Sequence, residues 1–186
     1  MPSMEWKYSS MGLRALAFRL KQLPYAAKAL AVMRPETRAA IENPSSTSWH
    51  DGMVVLDLLV AVRQFASDEG VEALNYDAVK HSLGPVLAPF LKVTLALFGG
   101  SPESIFKRMN DSIGTVMKNV RAEWKPTGPS QGRLTLTYPD DVNDVSYASW
   151  KGSLRFVFDL CAVKGVITPR PAEATARSIV FDCSWS

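Results

Sequence analysis

The chain has 186 residues, 47% of them hydrophobic and 21% charged, with a net charge of +3. That length suits one domain able to bury roughly 70% of the surface its unfolded form exposes, and the composition excludes disordered and collagen-like classes. No uninterrupted apolar run approaches the ~18 to 20 residues a membrane-spanning helix requires, so no segment is expected to cross a bilayer.

The charge is unevenly placed. Residues 1–34 hold Lys7, Arg14, Arg19, Lys21, Lys28 and Arg34 against one acid, Glu5, which gives this segment +5 and leaves −2 for the remainder. It reads as a basic N-terminal helical arm, separate or integral, ahead of a single α+β domain at 35–186. Within it, Leu13, Leu16, Ala17, Leu20 and Leu23 fall at helical spacing over 12–23. Pro24 ends or kinks that helix, an alanine-rich turn runs to Met33, and Pro35 to Ile41 suits a short helix before the loop at 43–48.

From Met53 to Ala66 nearly every position is apolar, the pattern of a buried central helix that Asp51 or a neighbour would cap. Asp68-Glu69-Gly70 breaks it, and residues 76–98 read as helix interrupted at Gly84-Pro85 and Pro89 and ended by Gly99-Gly100. Ser101-Pro102 is a strong helix start. The spacing of Ile105, Met109, Ile113, Val116, Met117 and Val120 predicts one amphipathic helix to about Trp124, and Lys125 to Gly132 is expected to be a linker.

Beyond it the period changes to two. Leu134, Leu136 and Tyr138 alternate with polar residues as in a half-buried strand, and Pro139 to Asn143 is a turn. Tyr147, Trp150, Leu154, Val157, Phe158 and Cys161 recur at helical spacing, with Gly165 expected to close that helix. Ile179, Phe181, Cys183 and Trp185 share one face of a final strand, with Val166 to Pro171 as a short edge partner. The expected fold is therefore α+β: a helix-rich first two-thirds packed on a C-terminal strand–helix–strand unit of antiparallel sheet. Cys161 and Cys183, outside any CxxC spacing and with no signal-peptide-like run ahead of them, are expected as buried thiols of a cytoplasmic protein.

Three landmarks carry a resemblance: Trp49-His-Asp-Gly-Met opening the buried helix, Gly-Ser-Pro at 100–102, and the terminal unit ending Phe181-Asp-Cys-Ser-Trp185. Together they resemble a family of small bacterial proteins, expanded mainly in myxobacteria. It is related in fold to haem nitric-oxide-binding domains, vinyl-reductase-type ligand-binding domains and vesicle-tethering TRAPP subunits. The resemblance covers roughly residues 13–185 and implies a mixed domain that often dimerises and serves signalling or scaffolding, sometimes around a small ligand. The haem-binding relatives use an axial histidine on the long helix and a Tyr-x-Ser-x-Arg set for the propionates. Here 102–124 contains no histidine, and Tyr147-Ala-Ser149-Trp150 is followed by Lys151, so no haem is expected.

No catalytic constellation emerges. Gly128-Pro-Ser-Gln-Gly132 matches G-x-S-x-G only as a string, since it lies before a strand and no histidine follows His81. His50 and His81 are far apart and stand without local cysteines, so neither begins a zinc site. Gly99-Gly-Ser-Pro-Glu103 lacks the Lys-Ser/Thr of a P-loop, and the acid pairs Asp68-Glu69 and Asp140-Asp141 read as solvated turns. Met109 and Met117 read as core.

The expectation is a non-enzymatic regulatory or signalling module, dimeric, that engages a protein partner without a cofactor. Arg14, Phe18, Arg19 and Lys21 are its candidate partner-binding residues, with the apolar N-terminal stripe and the exposed side of 102–124 as docking surfaces. The same basic stripe suits an anionic membrane surface; nucleic acid is not expected, because no basic residues interleave with aromatics elsewhere. The alternative is an apolar-ligand sensor whose pocket is lined by Tyr138, Trp150, Phe158 and Phe181.

Overall fold

The computed structural model describes residues 5–43, 48–83 and 100–186, together with position 93. Most of the 76–98 helix and the interior of the 43–48 loop lie outside the described residues.

Strand β1 (Lys7–Ser9) leads into α1 (Ser10–Leu20), where the Ser9 hydroxyl accepts from the Gly12 N–H and so caps the helix. Leu13, Leu16, Ala17 and Leu20 face inward and are buried in the same core as the C-terminal sheet, so the apolar stripe expected to dock a partner is packed into the body of the protein. Helices α2 (Ala26–Val32) and α3 (Pro35–Glu42) follow at the two expected places.

Strand β2 (Trp49–Asp51) pairs with β1, and Asp51 then caps α4 (Gly52–Ala78) by accepting from the Met53 N–H at 2.8 Å. The helix is longer than its apolar run. The chain kinks at Ser67 (φ 58°, ψ −170°), where a break was expected at 68–70, and then resumes helix. Met53 and Phe65 are exposed, so α4 is not buried all round. A π-helical turn, Val79–Leu83, closes it.

The largest departure from expectation is at 102–132. The helix breaks into α5 (Pro102–Lys107) and α6 (Met109–Val116) and then stops. Strand β3 (Met117–Lys118) pairs with β1, and β4 (Arg121–Gly128) forms a hairpin with β5 (Gln131–Thr137) around Pro129-Ser130. There is accordingly no continuous 102–124 helix, and the exposed side expected of it is divided among α5, α6 and β4. Two features end the helix. Asn119 takes a left-handed backbone at φ 65°. The Asn110 amide then holds Ala122 like a neighbouring strand, accepting from its N–H at 2.7 Å and donating to its carbonyl at 2.8 Å.

Helix α7 (Val145–Leu160) and strands β6 (Gly165–Pro169) and β7 (Ser178–Trp185) complete the chain. Ala162, at φ 54°, turns the chain out of α7; Gly165 instead begins β6, where a Cβ would strike the Phe158 ring. The main sheet is antiparallel in the order β4-β5-β7-β6, and a smaller sheet has the order β2-β1-β3. Leu134 pairs with Phe181 and Leu136 with Ile179 on the buried face. On the opposite face Arg133 donates to Asp182, which also receives Arg170, and these bonds hold the Asp182 carboxyl below its ordinary range. Helix α7 lies between this sheet and α4: Tyr147 meets Phe181 edge-on at 5.4 Å, while Ser149 and Lys151 reach α4. Cys183 is buried, Cys161 half-buried, and both are free thiols, with burial pushing the Cys183 thiol up to about 12.

Candidate functional site

A cavity of about 160 Å³ opens where α4, α6, α7 and β1 converge. Its apolar wall comes from Leu56 and Leu59 of α4, Met109 and Ile113 of α6, and Leu154 and Val157 of α7. Trp6 and Tyr8 alternate along the N-terminal segment and so enter from one side, with Trp6 edge-on to Tyr138 at 5.5 Å. Among the described residues no charged side chain lines it.

The polar groups on the wall are mostly tied to one another. The Asn75 amide donates to the Val71 carbonyl at 3.0 Å and accepts from the Ser149 hydroxyl at 3.0 Å. Trp150 Nε1 donates to the Tyr138 hydroxyl at 2.6 Å. Burial pushes the Tyr8 and Tyr138 phenols well above their ordinary range, and for Tyr138 the Trp150 bond opposes that rise while the nearby Tyr8 adds to it. Both are therefore neutral hydroxyls at any physiological pH.

Of the four residues proposed to line a pocket, Tyr138 and Trp150 do so. Phe158 and Phe181 lie elsewhere. Phe158 packs against Phe106 and Trp185 on the sheet side of α7, and Phe181 is fully buried against Tyr147. Trp6, Tyr8 and Asn75 went unassigned in the sequence; the alternation Trp6-Lys7-Tyr8 was the only available signal. Arg14 and Phe18 are exposed on α1 and Lys21 just beyond its end, while Arg19 is half-buried, donates to Gln22 and lies 5.8 Å from the Phe18 ring centroid.

No family profile matches the chain, and no curated protein does. Solved structures do. The unliganded Fe(II) H-NOX protein of K. algicida superposes with a TM-score of 0.70 at 8% identity, covering 96% of each chain. A Cs H-NOX mutant carrying 4-cyano-L-phenylalanine gives 0.69 at 9% identity, again over 96% of each chain. A point mutant of T. tengcongensis H-NOX gives 0.61 at 10% identity, over 92% of this chain and 95% of its own. The fold is thus α+β and H-NOX-like.

Haem held in the manner of the haem-binding relatives does not fit these residues. The chain has two histidines. His50 sits on β2 with Nε2 3.1 Å from the Ser10 hydroxyl, His81 is exposed on the π-helical turn, and neither lines the cavity. The Tyr147, Ser149, Lys151 trio does not converge either: the Tyr147 hydroxyl is buried against the sheet side, Ser149 bonds Asn75, and Lys151 pairs with Glu72 at 3.0 Å. The cavity is close in size to one of about 150 Å³ that holds benzene.

Proposed function

We propose that this chain is a haem-independent sensor module that binds a small, uncharged, largely apolar molecule. The observation that carries this reading is the apolar cavity at the meeting of α4, α6, α7 and β1. An apolar void forgoes dispersion contacts that an occupant restores, so filling it stabilises the folded state. An aromatic probe such as toluene at about a hundred times its Kd is expected to raise Tm by about 5–10 °C, from mass action and the size of the domain. Ile113→Phe, which pushes a ring into the same space, should abolish that rise. An equal rise in the variant would place the probe elsewhere, and no rise in the wild type with any apolar probe would end the reading.

A second reading concerns output. Phe18 is 59% exposed on α1 between Arg14 and Lys21, an aromatic ring left in water beside cations. The same helix meets Tyr8 at Gly12, where a Cβ would lie 2.5 Å from the Tyr8 ring, so a change in the cavity is felt by α1. In this reading α1 engages an acidic protein partner, and a second copy of the chain is another candidate. Arg14, Arg19 and Lys21 changed together to glutamate are expected to weaken partner binding at least tenfold, the cost of charge mismatch at an interface. Unchanged binding in a quantitative pull-down would remove the basic face from the account.

A further inference from the structure

The polar groups on the cavity wall have an imbalance that specifies the ligand further. Tyr138 accepts the Trp150 N–H and retains its own proton. The Asn75 amide donates one N–H to Val71 and accepts from Ser149, and the small Ser112 and Ser146 hydroxyls add to the polar lining. The Tyr8 hydroxyl has no hydrogen-bond partner among the described residues, although its ring lines the cavity and its strand is fixed on both edges, by β2 and β3. Turning the Tyr138 proton toward Tyr8 does not cure this. It extends a chain of donors from Trp150 to Tyr138 to Tyr8 and leaves the Tyr8 proton without an acceptor among the described residues.

We infer that the ligand is an uncharged, single-ring molecule bearing an acceptor oxygen, a ketone or aldehyde being the simplest case, and that Tyr8 donates to that oxygen. The inference rests on the sensor reading above and narrows its ligand class. Charged ligands are selected against because no charged side chain lines the wall among the described residues, and an ion buried without a partner carries a large desolvation penalty. Both phenols stay protonated across the physiological range, so the donor is present at every working pH.

The test is a cycle with near-isosteric probes, acetophenone, ethylbenzene and benzoate, titrated calorimetrically into wild type and Tyr8→Phe. Tyr8→Phe deletes a hydroxyl with no partner, so the unliganded protein should fold with unchanged or slightly raised Tm. Acetophenone should lose about tenfold in affinity in the variant, the worth of one neutral hydrogen bond, while ethylbenzene changes less than about twofold. Benzoate should not bind either protein. A wild-type preference for acetophenone that persists in Tyr8→Phe overturns the assignment of Tyr8, and benzoate binding as tightly as acetophenone overturns the uncharged class. If ethylbenzene binds and acetophenone does not, the acceptor requirement fails while the cavity stands as an apolar site. Failure of all three to bind overturns the sensor reading itself.

Discussion

Gly152→Ala is expected to destabilise the protein by about 3 kcal/mol, at the upper end for an overpacked core position. Gly152 sits on α7 where that helix crosses α4, and a Cβ there would press into the Glu72 carbonyl oxygen and approach the Tyr76 nitrogen at 3.0 Å. Both neighbours are backbone atoms of a helix, so no side chain can swing aside. Relief requires moving α4 and α7 apart, and that would break the Ser149 to Asn75 hydrogen bond and the Glu72 pairs with Lys151 and Arg155. The gain in helix propensity from Gly to Ala, about 1 kcal/mol, has the opposite sign and is too small to compensate. Gly114→Ala supplies the control. It lies on α6 with nothing within 4 Å of its Cβ, so there the propensity gain should appear alone, as a stabilisation of about 0.5–1 kcal/mol. Urea unfolding of both variants by circular dichroism reads the two signs. A Gly152→Ala loss below about 1 kcal/mol would mean the helices separate more freely than their contact geometry implies.

The elements that were legible in sequence are those whose periodicity alone decides them. Leu134-Thr-Leu136 and Ile179 to Trp185 alternate, apart from the buried Val180, because one sheet face is buried and the other carries Arg133 and Asp182. Helix α1 shows its leucine stripe for the same reason. The stretch 117–128 was not legible because Met117 and Val120 extend the α6 stripe at helical spacing although neither is helical. What stops the helix is hydrogen bonding outside it: the distant pairing of β3 with β1, the β4–β5 hairpin, and the hold of Asn110 on Ala122. Tertiary pairing overrides local pattern here, as it commonly does where β-branched and aromatic residues leave propensity nearly neutral. Strands β1 and β2, three residues each, are too short to show a period at all.

The cavity was half legible for a related reason. Helix α7 is apolar on two faces, one toward the sheet through Phe158 and one toward the cavity through Trp150, Leu154 and Val157. Spacing tells that both faces are buried and says nothing about which of them borders space. Lys151 illustrates how the H-NOX-like frame is put to other use. In the resemblance it stands where a propionate-binding arginine would be expected. Here it joins Arg155 on the Glu72 carboxylate, at 3.0 and 2.9 Å, and fastens α7 to α4. The cation that haem would require is committed to holding the two long helices together.

Phe106→Ala should cost about 3–5 kcal/mol, the range for emptying a buried aromatic site. Phe106 is 1% exposed and joins its own α5 to three other elements: it stacks on Trp124 of β4 at 4.6 Å, meets Phe158 of α7 edge-on at 5.9 Å, and lies 6.1 Å from Trp185 of β7. The buried Trp124 Nε1 has no hydrogen-bond partner among the described residues, so ring packing alone holds that indole in place. Removing Phe106 therefore loosens the β4–β5 hairpin as well as leaving a void, and tryptophan emission should move to longer wavelength before global unfolding. Phe106→Leu keeps most of the volume and should cost roughly 1–2 kcal/mol less than the alanine. Phe106 does not line the cavity, so once folded the leucine variant should bind an aromatic probe as tightly as wild type. Affinity lost in step with stability would instead show that the aromatic cluster and the cavity respond as one unit, joined through α7, whose Phe158 faces the first and whose Trp150 faces the second.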